Sequence, residues 1–358
     1  MSRVVISGYY GFHNLGDEAV LAATAGELRR RRPGVEIAVL SASPSETSRL
    51  YAIRGVSRRD PREIVRVLRR CDLFLSGGGS LFQDATSWRS PWYYFSILAL
   101  ARRLARRTAV YAQGIEPFHR AHVRTAAGFL LDRVDLITVR DVTSQAVLAQ
   151  MGVHRPRVVL SADPSLLLAP EWSSAVEAEK ARWGNGRVFG LALRPWGHSR
   201  IIPAAADAAR LIAARLGVRW ALLPMYPPGD VVVAEALAAR IGPAAVVVKT
   251  PLGPREMLAL IGSLDLLVGM RLHALLFAAS QGVPIVPVAY NPKVEALARE
   301  LGEPAPVHGV AASAEDLARS IAAAAAARER DRTRLLAAVA ALRERAALSP
   351  QLAADLLP

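Results

Sequence analysis

Short apolar runs alternate with amphipathic stretches along most of the chain, and this alternation restricts the fold more than any other feature. Runs such as RVVISG (3–8), CDLFLSG (71–77) and VFGLALR (188–194) are typical of buried strands. Stretches such as 17–31 and 60–70 have the spacing of helices. Strands that alternate with helices predict parallel sheets covered by helices on both faces.

The chain of 358 residues is too long for one ordinary core. The alternation lapses over residues 169–187, where proline, glycine and asparagine collect, and then resumes. We therefore predict an α/β protein of two doubly wound Rossmann-like domains that face each other across a cleft, with ligands bound at the carboxyl ends of the strands. The predicted parts are an N-terminal domain (1–168), a linker (169–187), a C-terminal domain (188–311) and a helical segment (312–358). The predicted strands are residues 3–8, 35–40, 71–77, 108–114, 135–140, 157–162, 188–194, 218–224, 244–249, 265–269 and 284–289.

The composition argues against several classes of protein. Cys71 is the single cysteine, so the chain has no internal disulfide and no cysteine-based metal cluster. No apolar stretch reaches about 18 residues without a charge, as a membrane-spanning helix requires. The start of the chain does not resemble a signal peptide. These features together predict a cytoplasmic location.

The formal net charge is +14, and it has two interpretations. A basic surface attracts nucleic acid, anionic lipid or phosphorylated substrates. Alternatively, the excess is compositional, since arginine far outnumbers lysine and alanine is abundant, as a GC-rich genome would produce. Neither aromatic residues interleaved with basic ones nor zinc-finger spacing supports nucleic-acid recognition.

Polar residues follow the strands of the first half. After the first strand, GYYGFHNLGDEAV (8–20) offers Asn14 or Asp17 as the cap of the next helix. It matches neither the dinucleotide-binding fingerprint nor a P-loop. The third strand runs into SGGGSLFQD (76–84), where glycine N–H groups can form a nest for an anion or a hydroxyl-rich ligand and where Gln83 and Asp84 follow. Arg140 ends a later strand and either pairs with Asp141 or clamps a carboxylate or phosphate.

In the second half, four basic residues follow strands that we expect to end at one edge of a sheet. They are Arg194, Arg271, His273 and Lys293. Together with the positive ends of the helices that begin there, they predict a site for a small, multiply charged anion. A single histidine on an apolar helix is usually a core residue, but His273 stands at a helix start beside Arg271.

Six motifs in order carry a family resemblance. They are GYYGFHNLGDEAVL, SGGGSLFQD, RDVTS, LRPW, GMRLHALLFA and YNPKV, spread over about residues 4–300. The chain resembles the polysaccharide pyruvyl transferase family, CsaB type. The resemblance implies an architecture like glycosyltransferase fold B. It also implies transfer of pyruvate from phosphoenolpyruvate to a sugar as a cyclic ketal.

For the CsaB type, the resemblance further implies an acceptor that is a lipid-diphosphate-linked precursor of the secondary cell-wall polymer. Its N-acetylmannosamine is ketalised at O4 and O6. The finished polymer anchors surface-layer proteins, whose S-layer homology domains bind the polymer and not this chain. The basic surface is compatible with peripheral contact with an anionic membrane, and no nucleic acid is expected as a partner.

The resemblance also assigns roles by motif. Phosphoenolpyruvate would be bound by Arg140, Arg271, Leu272, His273 and Lys293, and the acceptor by Asp17, Gly78, Gly79, Gln83, Asp84 and Arg194. The chain departs from the family pattern at His13, Glu116 and Asn291. Phosphoenolpyruvate is a substrate, so no cofactor is expected. No metal is expected either, because the sequence has no acidic triad or histidine-rich spacing.

We expect His273 to be the general acid for the methylene carbon, or the proton donor to the departing phosphate. Asp17 is either the base for an acceptor hydroxyl or a residue that holds the sugar. Two other functions compete with this one. The first is a glycosyltransferase of the same fold that uses a nucleotide sugar. The second is a non-catalytic binder of anionic polymer or lipid, which would not need the histidine.

Overall fold

The computed structural model describes residues 2–84, 90–197, 200–227, 229–303 and 307–358. The chain forms two compact units, the first from residues 1–168 and 342–358 and the second from residues 169–341. The segment expected as a linker belongs to the second unit and contains a helix. The expected C-terminal segment is helical, but its last part, from residue 342, belongs to the first unit.

The first unit contains a parallel sheet with the strand order β3-β2-β1-β4-β5-β6-β7. Its strands are β1 (Arg3–Ser7), β2 (Glu36–Ser41), β3 (Arg54–Ser57), β4 (Leu73–Gly79), β5 (Arg107–Gln113), β6 (Leu136–Val139) and β7 (Arg157–Leu160). Its helices in the first part of the chain are α1 (Leu15–Arg31), α2 (Pro44–Tyr51), α3 (Pro61–Leu68), α4 (Ser90–Leu104), α5 (Ala121–Leu131) and α6 (Val142–Gln150). A short 3₁₀ helix follows at Pro164–Leu167.

The second unit contains a parallel sheet with the strand order β10-β9-β8-β11-β12-β13. Its strands are β8 (Val188–Ala192), β9 (Arg219–Leu222), β10 (Ala245–Val247), β11 (Leu266–Gly269), β12 (Ile285–Ala289) and β13 (His308–Gly309). The helices are α7 (Ser174–Ala181), α8 (Ile201–Leu216), α9 (Gly229–Ile241), α10 (Pro254–Gly262), α11 (Leu272–Ser280), α12 (Pro292–Glu300), α13 (Ala314–Ala326) and α14 (Arg328–Ala346), which continues into the first unit.

The two-unit α/β fold confirms the predicted fold class. The central strands are apolar because both of their faces are covered: every residue of β4, β6, β8, β11 and β12 is buried. Two strands that the sequence did not predict, β3 and β13, lie at sheet edges. In β3 only Val56 is buried, so this strand presents no apolar run.

The last helix, α15 (Leu348–Asp355), covers one face of the first sheet. Ala353 and Leu357 belong to the same apolar cluster as Val4 and Ile6 of β1. The buried hydroxyl of Ser349 is hydrogen-bonded to the hydroxyls of Thr138 at 2.9 Å and Ser161 at 2.7 Å. The chain end is therefore part of the core of the first unit.

Candidate active site

The start of α1 positions Asp17 at the carboxyl edge of the first sheet. The Asn14 side chain accepts a hydrogen bond from the backbone N–H of Gly16 at 3.2 Å and caps α1. The alternative, that Asp17 is the cap, is therefore wrong. Asp17 is partly exposed in the first turn, where the positive end of the helix dipole favours a carboxylate.

The glycine run lies next to Asp17, but within a strand. β4 continues beyond residue 77 to Gly79, and Gly77 and Gly79 pair with β5, so the glycine run belongs to the strand and not to a loop after it. Gly78 and Gly79 have φ values of +56° and +86°. A Cβ atom on Gly78 would lie 2.1 Å from Cγ1 of Val20, and one on Gly79 would lie 2.8 Å from Oδ1 of Asp17. Glycine is required here because α1 and β4 approach closely.

Asp84 ties two loops together. Its carboxylate accepts hydrogen bonds from the backbone N–H groups of His119 at 2.8 Å and Arg120 at 2.9 Å. Burial opposes ionisation of Asp84, but these hydrogen bonds and the nearby positive charges outweigh it and lower the pKa of the carboxyl. This geometry is that of a structural residue. Gln83 beside it is partly exposed.

Arg140 is held in a buried ion pair. Its Nη1 atom donates to Oδ2 of Asp163 at 2.7 Å, and its Nη2 atom donates to Oγ of Ser80 at 3.2 Å. The expected alternative, a pair with Asp141, is wrong because the Asp141 carboxylate caps α6 by accepting from the backbone N–H of Ser144 at 2.7 Å. Ser80 directly follows the glycine run, so Arg140 and the Asp17 region lie at the same edge of the first sheet.

In the second unit, Arg271 forms a two-pronged ion pair. It follows β11 directly, and its Nε atom donates to Oδ2 of Asp230 at 2.8 Å while Nη2 donates to Oδ1. Asp230 lies in the first turn of α9 with a fully buried side chain, and it also accepts from the backbone N–H groups of Met225 at 3.1 Å and Tyr226 at 3.0 Å. The carboxylate thereby fixes one edge of the guanidinium and leaves the Nη1 side outside the pair.

Arg194 follows β8, which is the neighbour of β11 in the sheet. Its Nη1 atom donates to the hydroxyl of Tyr290 at 3.2 Å, and its Cζ atom lies 4.8 Å from the centroid of the Tyr290 ring. Tyr290 follows β12, the neighbour of β11 on the other side. Arg194 and Tyr290 therefore bridge the ends of the strands that flank the end of β11.

The remaining predicted residues of the second unit lie in first turns of helices. Leu272 and His273 begin α11, and Lys293 is the second residue of α12. All three are partly exposed, while Nε2 of His273 is buried. Unpaired N–H groups and the helix dipole make such first turns favourable for anions. The described residues thus bring Arg194, Arg271, His273 and Lys293 to one edge of the second sheet.

The sequence analysis did not identify the carboxylates that orient the two arginines, Asp163 and Asp230. No local motif marks them, because each lies in a different part of the chain from its arginine. Among the described residues, no group of three or more histidine, cysteine, aspartate or glutamate side chains could hold a metal ion. None of the described helices is both long and apolar enough to cross a membrane.

Comparison with known proteins gives a family and a fold. The family model for polysaccharide pyruvyl transferase matches residues 14–292. A search of curated protein sequences found no match. Among solved structures, the chain is similar to Anabaena HepE in complex with UDP-glucose, with a TM-score of 0.66 and 15% identity over 99% of this chain and 99% of that chain.

Two further structures have the same architecture. A putative UDP-N-acetylglucosamine 2-epimerase from Listeria monocytogenes has a TM-score of 0.63 and 12% identity, over 98% of this chain and 96% of that chain. A glycosyltransferase from Rickettsia africae has a TM-score of 0.64 and 9% identity, over 99% of this chain and 96% of that chain. At such low identity these similarities show the fold alone, which is that of two Rossmann-like domains as in glycosyltransferase fold B.

Proposed function

The chain belongs to the polysaccharide pyruvyl transferase family, and we propose that it transfers pyruvate from phosphoenolpyruvate to a saccharide as a 4,6-linked ketal, with release of phosphate. The observation that carries the proposal is Arg271, which is oriented by buried Asp230 and followed by His273 at the start of α11. Phosphoenolpyruvate, as the pyruvate donor, requires a cation of fixed orientation beside a group that supplies a proton.

Phosphoenolpyruvate carries a carboxylate and a phosphate on a three-carbon frame, so it needs cations for both groups. We assign this role to Arg271 and Lys293 of the second unit, with Leu272 and His273 contributing the first turn of α11. Because Asp230 holds the Nε edge of Arg271, the orientation of the guanidinium is set before the donor binds. Such prior orientation lets the arginine stabilise charge that develops on the phosphate without reorganisation.

The reaction joins two sugar oxygens to C2 of the donor. A first hydroxyl oxygen adds to C2 as a proton is delivered to the C3 methylene, which becomes a methyl group. The second hydroxyl oxygen then bonds to C2, the bond between C2 and the phosphate oxygen breaks, and the phosphate leaves with the remaining proton. His273 is the proposed proton donor, to C3 or to the phosphate, a role commonly worth about 10²–10⁴-fold in rate.

Asp17 is the proposed acceptor residue of the first unit, as a base for a sugar hydroxyl or as its hydrogen-bond acceptor. Gly78 and Gly79 leave its carboxylate room at the strand end. We propose N-acetylmannosamine of a lipid-diphosphate-linked cell-wall precursor as the acceptor. The polymer would serve in surface-layer anchoring, and the reaction would occur at the cytoplasmic face of the membrane.

The test combines donor binding with turnover. The midpoint of thermal unfolding is measured with phosphoenolpyruvate, UDP or GDP. In a separate assay, native protein is incubated with phosphoenolpyruvate and an N-acetylmannosaminide acceptor, and phosphate release and acceptor mass are measured. We expect stabilisation by phosphoenolpyruvate, a mass gain of one pyruvate ketal, and loss of turnover in His273→Ala but not in His154→Ala, an exposed histidine of the first unit. Stabilisation by a nucleotide alone, without transfer, would instead favour the nucleotide-sugar glycosyltransferase.

A further inference from the structure

Arg58, which directly follows β3, is surrounded by aromatic rings in the first unit. Its Cζ atom lies 4.1 Å from the ring centroid of Tyr93, 4.9 Å from that of Phe12 and 5.8 Å from that of Tyr94. Cation–π contacts of this kind hold a guanidinium through its face. The side chain of Arg58 also interacts with the hydroxyls of Tyr93 and Tyr94, and a guanidinium has five N–H donors, so these contacts do not use all of them.

Those N–H groups are not all used within the described part of the chain. The Nη1 atom of Arg58 is buried and has no hydrogen-bond partner among the described residues. This distinguishes Arg58 from Arg140 and Arg271, whose guanidinium groups are bound by carboxylates. A buried donor without a partner is unfavourable, so a ligand that brings an acceptor to it gains binding free energy.

Arg58 lies against the loop that leads to the proposed acceptor residue, because its contact Phe12 precedes Asp17 in the segment between β1 and the first turn of α1. The pKa of the Tyr94 hydroxyl is raised to about 12, mainly by burial; the positive charge of Arg58 opposes this rise and the negative charge of Asp17 adds to it. The Tyr94 hydroxyl is therefore within electrostatic range of both residues. Asp17, whose carboxylate can accept a hydrogen bond from a sugar hydroxyl, and Arg58, whose charge attracts an anion, thus lie near the same residue, Tyr94.

The same cluster presents an aromatic surface. The rings of Tyr9 and Phe12 are stacked, with centroids 4.1 Å apart and planes 10° from parallel, and both residues are partly exposed. Aromatic walls with a few placed polar groups are typical of ligand sites. Sugar rings pack their C–H faces on such surfaces, whereas phosphoenolpyruvate is too small and polar to need one.

We propose that Arg58 binds an anionic group, a phosphate or a carboxylate, that is carried by the saccharide acceptor. The inference rests on the proposed function, and it adds a second point of recognition for the acceptor: the reacting sugar lies near Asp17 and the anionic group lies at the guanidinium of Arg58, a partly exposed residue. Arg58 is then a specificity residue for the acceptor and has no role toward the donor.

The test compares two acceptors in three variants. An N-acetylmannosaminide that carries a phosphate ester and its uncharged methyl glycoside are each assayed with Arg58→Gln, Arg58→Lys and the control Arg59→Gln, which removes the charge of the exposed neighbour. For Arg58→Gln we expect KM for the phosphorylated saccharide to rise roughly 10- to 100-fold, while KM for the methyl glycoside and for phosphoenolpyruvate changes by less than about twofold. Arg58→Lys keeps the charge, so its KM for the phosphorylated saccharide is expected to lie between those of wild type and Arg58→Gln. The KM of Arg59→Gln is expected to match that of wild type.

Equilibrium binding of the two saccharides, measured by calorimetry, separates this inference from the proposed function. If wild-type protein shows no transfer but binds the phosphorylated saccharide more tightly, and Arg58→Gln removes that preference, Arg58 binds the anion and only the reaction is wrong. An equal loss of affinity for both saccharides, or a rise in KM for phosphoenolpyruvate, would overturn the inference. Arg58→Lys keeps the test valid if Arg58→Gln does not fold.

Discussion

Replacing Asp230 by asparagine removes the negative charge that faces Arg271 while keeping the size of the side chain. In the wild-type protein the carboxylate accepts two hydrogen bonds from Arg271 and two from backbone N–H groups at residues 225 and 226. An asparagine has one oxygen, so its NH₂ group must face one of these donors. The variant therefore contains a donor–donor conflict beside a largely buried cation.

The cost follows from the burial of the pair. The side chain of Asp230 is 0% exposed and that of Arg271 is 12% exposed. Removing one partner of a buried ion pair costs about 3–5 kcal/mol, and we expect the lower end because Arg271 retains some contact with solvent. If Asp230 also sets the orientation of Arg271 toward the donor, kcat/KM falls by about 10²-fold, the effect of a misplacement of about 1 Å.

Asp207→Asn is the matched control. Asp207 binds Nε and Nη2 of Arg240 at 2.9 and 2.6 Å in the same unit, but this pair is exposed. Urea unfolding should show a large loss of stability for Asp230→Asn and little change for Asp207→Asn, and phosphoenolpyruvate kinetics should show the same contrast. Equal effects of the two substitutions would refute the claim that burial of the Asp230 pair orients the arginine.

Three further predictions concern the first unit. Gly79→Ala places a Cβ atom 2.8 Å from Oδ1 of Asp17 and should lower kcat at least about tenfold. The control is Gly152→Ala, which is also at positive φ but whose added Cβ atom would have no neighbouring atom within 4 Å. It should cost only about 1–2 kcal/mol of stability and leave kcat unchanged. The pKa of Asp84 is lowered by its hydrogen bonds, so its stabilisation is present above the unfolded-state pKa and is lost as the pH falls through the folded-state pKa. Urea unfolding should therefore show that Asp84→Asn is more destabilising at about pH 6 than at about pH 2; a difference independent of pH would contradict this. Burial raises the pKa of Cys71 to about 12, so a thiol reagent at about pH 8 should modify it only in denaturant, and modification of the native protein would contradict its burial.

Most of the fold could be predicted because its central strands are buried on both faces and are therefore continuous apolar runs. The edge strand β3 could not, since it buries Val56 alone and looks like any exposed segment. The helix within the segment 169–187 could not be predicted either. The glycines and prolines of this segment indicate a break in the sheet pattern, but they do not exclude the helix α7, which Ser173 caps with a hydrogen bond to the backbone N–H of Val176.

The position of the candidate residues at one edge of each sheet could be predicted because parallel strands end at one edge, where the residues that follow them also lie. Their partners could not be identified in this way. Asp163 is 23 residues from Arg140, and Asp230 is 41 residues from Arg271. Arg58 carries no local signal either, because its aromatic neighbours come from a different loop and from α4. A single sequence does not predict contacts that depend on tertiary packing.

The central claim is that the chain forms a pyruvate ketal from phosphoenolpyruvate. The most direct measurement is the reaction in D₂O with an N-acetylmannosaminide, followed by NMR of the ketal methyl group and by phosphate quantification. The account predicts one deuterium in the methyl group of each ketal, because C3 takes its proton from a donor that exchanges with solvent, and one phosphate released per ketal. Phosphate release without a ketal methyl signal, or no reaction of phosphoenolpyruvate at all, would contradict it.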